Sequence, residues 1–159
     1  LDAKGQPYAP DVRIGIMIEI PSIAAVADLA AKEVDFASVG TNDLTQYLCA
    51  VDRMNSEISS YYQSFSPALI RVLSLIFAQF NVYGKEISVC GELGGDPKAA
   101  VILAGLGLRK FSMSPSNIAK VKMALSRFTL AEARRIAAHV QSITTEKEVI
   151  EYIEQSVKY

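Results

Sequence analysis

Four short runs of the chain are nearly continuous in apolar or small residues: Val12 to Glu19, Phe36 to Gly40, Ile87 to Cys90 and Lys110 to Met113. Strands buried on both faces read this way, without the strict alternation of a half-exposed strand. Stretches of helical spacing separate them. Short strands alternating with helices are the mark of parallel βα units, so the pattern predicts an α/β fold whose sheet is covered by helices.

The helices carry their own punctuation. Ser22 precedes a small-residue run from Ile23 to Lys32. Ser66 followed by Pro67 gives an N-cap with proline at the first helical position, ahead of an apolar stripe ending near Asn81 and Gly84. Asp96 and Pro97 repeat the signal for a short helix closed by Gly105, and a further helix covers Asn117 to Arg127. Thr129 with Glu132 and Thr145 with Glu148 match capping boxes, predicting two terminal helices that look peripheral. The connection between the second and third strands is much longer than its neighbours, because Asp43 to Phe65 precedes the Ser66 helix. Connections of that length in compact α/β domains are usually functional.

Composition narrows the classes. A chain of 159 residues, 50% hydrophobic, builds one domain with a core. Sixteen Lys and Arg against 17 Asp and Glu leave no charge excess to attract nucleic acid or an anionic membrane. The longest apolar stretches, Ala99 to Leu106 and Val72 to Phe80, are too short to span a bilayer. Leu1 to Pro10 is polar and turn-forming, without a signal peptide's apolar segment or an initiator Met, which suggests an excised piece entered through a loop, and a processed chain would read the same. Cys49 and Cys90 lack CxxC spacing and read as free thiols in a reducing cytoplasm, with Cys49 on the core side of a helix beginning near Leu44.

In parallel α/β folds ligands gather at the C-terminal ends of strands. The residues there are Glu19, then Gly40-Thr41-Asn42-Asp43, then Cys90-Gly91-Glu92, then Ser112 and Ser114. Carboxylates from two strand ends suit a hard divalent ion such as magnesium, which takes one or two of them together with substrate phosphate and water. Structural readings stand beside this one. Asp43 could cap the Leu44 helix, Glu19 could pair with Arg13 or Lys32, and Arg53 with Asp52 or Glu57. His139, the single histidine, lies in an amphipathic helix and reads as an ordinary surface or core residue.

The strings Gly40-Thr-Asn-Asp-Leu-Thr-Gln-Tyr47, Ala50-Val-Asp-Arg53, Cys90-Gly-Glu-Leu-Gly-Gly-Asp96 and Phe111-Ser-Met-Ser114 together resemble the phosphoenolpyruvate-utilising enzymes. Within that superfamily, which includes pyruvate phosphate dikinase and phosphoenolpyruvate synthase, they look most like the enzyme I family of the bacterial sugar phosphotransferase system. The resemblance implies the C-terminal half of a (β/α)8 barrel of the TIM type, four βα units over residues 1–159, with 129–159 as a helical tail. By motif position it implies Glu19 and Asp43 as magnesium (Mg2+) ligands, Asn42, Asp43 and Arg53 as phosphoenolpyruvate contacts, and Cys90 as the proton donor to the enolate. Met54, Ile20 and Ser22 depart from the family's usual residues around these positions without touching the ligands themselves.

The same resemblance implies phosphoryl transfer from phosphoenolpyruvate to an enzyme histidine and on to a histidine phosphocarrier protein. The histidine domain and the phosphate-binding arginines of the earlier barrel strands are not in these 159 residues, so the piece is expected to be inactive alone. A half barrel also leaves sheet edges and an inner face uncovered, from which self-association into a homo-oligomer is expected. A piece of a dikinase or synthase, or a non-catalytic module that senses phosphoenolpyruvate or dimerises, remain the alternatives.

Overall fold

The structure, a computed structural model, describes residues 1–158. Its strands β1 (Gly15–Ile18), β2 (Phe36–Gly40), β3 (Glu86–Cys90) and β4 (Lys110–Phe111) form one sheet in the order β1-β2-β3-β4. All neighbours are parallel, with Ile18 opposite Val39 and Val39 opposite Val89. Helices alternate with the strands, which is the expected α/β arrangement and is consistent with part of a barrel.

Two strands are shorter than expected. Val12 and Ile14 read as strand residues but lie outside β1 and are 65% and 69% exposed: the register with β2 begins at Gly15 opposite Phe36, and Ile14 bonds instead to Asp35, its N–H to the side chain and its carbonyl from the backbone N–H. β4 stops at Phe111, so Ser112 and Met113 continue past the sheet rather than within it.

The helices are α1 (Pro21–Ala25), α2 (Ala27–Glu33), α3 (Thr41–Cys49), α4 (Pro67–Val82), α5 (Pro97–Gly105), α6 (Pro115–Ser126), α7 (Leu130–Val140) and α8 (Glu146–Ser156). The expected single helix from Ile23 to Lys32 is instead two, broken at Val26 (φ −115°, ψ 31°), and Pro21 rather than Ser22 opens the first. Ser66 caps α4 by accepting from Ala68 N, and Asp96 caps α5 by accepting from Lys98 N and Ala99 N, as the proline-marked starts predict. α6 begins at Pro115, two residues ahead of expectation, because proline suits the first turn where its missing N–H is not needed. Both capping boxes form.

The main core lies between one face of the sheet and α1 to α5. Ile18, Val39 and Val89 meet Leu69, Leu73, Ile76, Phe77 and Phe80 of α4 there. Helices therefore cover only one face, not both. A second cluster joins Val101 and Ile102 of α5, Ala133, Ile136, Ala137 and Val140 of α7, and Val149 and Ile153 of α8. The terminal helices are not peripheral: their small and branched residues close a core of their own against α5. The last residue of the expected tail, Tyr159, lies outside the described residues. No helix among them is long and apolar enough to cross a membrane.

Candidate functional site

Side chains alternate across a strand, so if Ile18, Val39 and Val89 face the helices, Met17, Ser38 and Ser88 face the other way. One step further along the same parity stand Glu19, Gly40 and Cys90, and then Ser112 beyond β4. The rim of the sheet thus carries the candidate chemistry on its open face.

Glu19 follows directly after β1. Its carboxylate lies over Gly40: a Cβ built there would stand 3.1 Å from Glu19 Oε2 and 3.2 Å from Glu19 Cβ. Glycine at position 40 is what admits the acid beside the Thr41-Asn42-Asp43 turn. Among the described residues Glu19 enters no ion pair, so neither Arg13 nor Lys32 claims it.

Asp43 is not the cap of a helix starting at Leu44. Helix α3 begins two residues earlier, at Thr41, with Gly40 at its N-cap and no side-chain cap. Asp43 therefore sits in the first turn, where unpaired backbone N–H groups favour a negative charge. Its carboxylate Oδ1 is 3.3 Å from Arg53 Nη2, with each side chain a little over a third exposed. Arg53 pairs with Asp43, not with Asp52 or Glu57: Asp52 Oδ1 instead accepts from Met54 N at 2.9 Å.

The ends of β2 and β3 are tied to each other. Thr41, 1% exposed, donates its hydroxyl to the carbonyl of Cys90 at 2.8 Å and accepts at its own carbonyl from Thr45 Oγ1 at 2.7 Å. Asn42 Oδ1 accepts from Glu92 N at 3.2 Å, which occupies the amide oxygen and leaves the Nδ2 protons for another partner. Between these contacts runs Gly91 at φ +92°, where a Cβ would fall 2.8 Å from Thr41 Oγ1 and 2.9 Å from Asn42 Oδ1. Glycine is required there by backbone conformation and by space.

Cys90 is half-buried and free, with Sγ 3.5 Å from the carbonyl oxygen of Val39 and 3.8 Å from Met17 Sδ. Cys49, expected in the core, is only half-buried, because α3 ends at that residue and turns outward through Ala50 in a left-handed conformation (φ 52°). His139 is on the exposed side of α7 and packs against Tyr152, with ring centroids 4.3 Å apart and planes tilted by 45°, which fits the ordinary role expected of it.

An open cleft of about 410 Å³ lies against these strand ends, lined by Asn42, Cys90, Gly91, Glu92, Ser112 and Asn117 among others. Glu19, Asp43 and Arg53 stand outside its lining. A larger hollow of about 660 Å³ runs between the open face of the sheet and α6, past Ser38, Ser88 and Lys110, and offers no acidic pair. The smaller cleft is the better candidate on chemistry. No group of three or more His, Cys, Asp or Glu able to hold a metal unaided occurs among the described residues. Two carboxylates at adjacent strand ends are nevertheless a donor set of the kind a hard divalent ion completes with phosphate and water.

Three residues of this region went unmarked in the sequence. Thr41 sits inside a recognised string but shows its role only through the nonlocal bond to Cys90, and Met17 only through its contact with the thiol. Tyr62, within the long connection, donates its hydroxyl to the carbonyl of Asn42 at 3.2 Å.

Residues 1–130 match the family described as PEP-utilising enzyme, PEP-binding domain. The chain is similar to proteins named phosphoenolpyruvate-protein phosphotransferase: 42% identical over 97% of its length to that of Bacillus subtilis (strain 168), 41% over 98% to that of Priestia megaterium, and 40% over 99% to that of Staphylococcus carnosus (strain TM300). It spans only 27%, 27% and 28% of those relatives respectively.

Proposed function

The chain belongs to the PEP-utilising enzymes and corresponds to the PEP-binding domain of enzyme I, and from that premise we propose that it forms one wall of a phosphoenolpyruvate site in a cytoplasmic phosphotransferase. The whole protein would pass the phosphoryl group to one of its own histidines and then to a histidine phosphocarrier protein, the first steps of bacterial sugar uptake. The supporting observation is the convergence at one rim: Glu19 over Gly40, Asp43 against Arg53, and Asn42 tied to the turn that follows Cys90.

Glu19 and Asp43 would hold Mg2+, whose part is to neutralise charge on the phosphoryl group in transfer. Asn42, its amide oxygen already engaged, points to a role as donor through Nδ2 toward an anionic oxygen. The planar guanidinium of Arg53 suits a phosphate or carboxylate held by two hydrogen bonds. When the bond between phosphorus and the enol oxygen breaks, the electron pair stays on that oxygen and the product is the enolate of pyruvate. The Cys90 thiol delivers its proton to the methylene carbon, giving pyruvate, and the thiolate is reprotonated from water. The unpaired edges of β1 and β4 extend the reading to self-association of the chain.

The experiment is an exchange. Placed in the Bacillus subtilis relative instead of its matching segment, the chain is expected to support magnesium-dependent transfer from phosphoenolpyruvate to the carrier protein. Asp43→Ala in the same context is expected to lower that rate by at least about a hundredfold. Full magnesium-dependent activity in the variant would overturn the metal assignment.

A further inference from the structure

The long connection between α3 and α4 is held near its far end by a residue 81 positions away in the chain. The N–H of Phe65 donates to Glu146 Oε1 at 2.8 Å, a short bond to a charged acceptor. Glu146 opens α8, yet its carboxylate is not needed at that helix end. Thr145 and Glu148 already exchange the bonds of the capping box there, at 3.3 and 3.2 Å. Glu146 is therefore free to reach across to the connection.

Its place is fixed independently of what it holds. Val149 and Ile153 of α8 pack with α7 against Val101 and Ile102 of α5. The turn after α7 is tied to α4, where Arg71 donates from Nε and Nη2 to the carbonyl of Gln141 at 3.1 and 3.0 Å. Phe65 packs against both cores, at the seam between them. The tail thus offers a fixed acceptor to a segment whose only regular structure is a short 3-10 turn at Ser59–Tyr61. Segments with so few backbone bonds of their own open readily unless they are tied down.

The tie bears on the candidate site. Gln63 to Ser66 form a turn around Phe65, closed by the Ser66 N–H on the Gln63 carbonyl at 3.1 Å. Tyr62, immediately before that turn, donates its hydroxyl to the carbonyl of Asn42 at 3.2 Å. Asn42 stands in the first turn of α3 beside Asp43, and its Oδ1 receives Glu92 N. A closed turn carries a shift at Phe65 to Tyr62, and so to the start of α3.

We infer that Glu146 is a positioning residue of the site: by anchoring Phe65 it sets Tyr62 against the Asn42 carbonyl, so that the helical tail braces the long connection and the start of α3. Glu146 lies beyond the residues matched to the PEP-binding domain family. The consequence for phosphoryl transfer rests on the proposed function, whereas the bracing itself is testable on this chain alone.

The test uses the chain labelled with ¹⁵N and with ¹³Cζ-tyrosine, the Tyr62 signal being assigned by its absence in Tyr62→Phe. Glu146→Ala removes the acceptor. Glu154→Ala, the control, removes a different contact of α8, the exposed pair with Lys98 at 3.5 Å, without touching the connection. In Glu146→Ala the Phe65 amide is expected to exchange at least about tenfold faster and the Tyr62 ¹³Cζ signal to shift, while both keep their wild-type values in Glu154→Ala. A wild-type value for either in Glu146→Ala, or equal effects of both variants, would overturn the inference. Should Glu146→Ala detach the tail, seen as faster exchange of the Val149 amide, Glu146→Gln decides, since it keeps an acceptor of the same reach without the charge. A shifted Tyr62 signal together with faster exchange at Phe65 then supports the inference, and a wild-type value for either overturns it. In the Bacillus subtilis relative carrying this chain, Glu146→Ala is expected to slow transfer at least about tenfold and Glu154→Ala to leave it unchanged. An undiminished rate in Glu146→Ala would overturn its part in the site. If the unsubstituted exchange protein transfers nothing, the proposed function fails, and the Phe65 and Tyr62 signals still decide the bracing.

Discussion

The two faces of the sheet are built from alternate residues of the same strands, yet they differ in nearly everything else. On the face toward the helices, Ile18, Val39 and Val89 are 0% exposed and pack against Phe77 and Phe80. On the other face Met17 is 48% exposed, Ser38 and Ser88 are half-buried, and Lys110 reaches Glu86 in an exposed pair at 2.8 Å. An ion pair of that kind contributes little to folding. The packed face stabilises this chain, while the open face, through Glu19, Gly40 and Cys90 at its rim, carries the candidate chemistry. Polar groups can stand at that rim because the core does not need them.

The strongest way to break this contrast is to excavate the packed face. Phe77→Ala deletes a fully buried ring of α4 from the centre of the main core. It is expected to lower stability by about 3–5 kcal/mol, read from the urea unfolding midpoint. A loss below about 1 kcal/mol would mean that the face is far less tightly packed than the buried side chains imply.

Next in size is a change at the rim itself. Gly91→Ala places a Cβ at φ +92° against Thr41 Oγ1 and Asn42 Oδ1. The expected cost is about 1–3 kcal/mol, with faster amide exchange at Glu92 as its bond to Asn42 opens. Gly84→Ala is the control, since Gly84 also has positive φ (+62°) but a Cβ there meets nothing within 4 Å. If the two variants lose the same stability and Glu92 stays protected, the rim is not braced by the contact between Gly91 and the Thr41-Asn42 turn.

How much of this was legible follows the range of each interaction. The starts of α4, α5, α7 and α8 are marked by residues within one turn of the cap, so the sequence names them directly. The apolar runs locate the strands, but not where the register begins and ends: Ile14 and Ser112 each keep one backbone bond to the neighbouring segment, from Asp35 N and to Val89 O, yet lie just beyond the paired residues. The Thr41-Asn42-Asp43 string was conspicuous, yet Asp43 read as a possible cap because the helix start at Thr41 carries no capping side chain to announce it. The ion-pair partner of Arg53 is hidden from the sequence for a different reason. Asp52 and Glu57 are nearer in sequence, but the loop folds back so that Asp43, ten residues away, is the carboxylate within reach. The core formed by α5, α7 and α8 was missed because amphipathic helices show that they bury a face without showing against what.

The smallest expected effect tests the open face on its own terms. Ser88 lies in the middle of β3, and its hydroxyl reaches the carbonyl of Ala37 only at 3.4 Å, a long and weak bond. Were this face packed as the other is, removing a hydroxyl there would leave an unsatisfied acceptor or a void, each costing about 1 kcal/mol or more. In an open face, water replaces the hydroxyl at the Ala37 carbonyl. Ser88→Ala is therefore expected to stay within about 0.5 kcal/mol of the wild type in urea unfolding. The same substitution made in the Bacillus subtilis relative carrying this chain sharpens the point. If other parts of that protein cover the face, the serine becomes enclosed and its loss becomes measurable, whereas an equally small effect would mean that the face remains in contact with water in the longer protein as well.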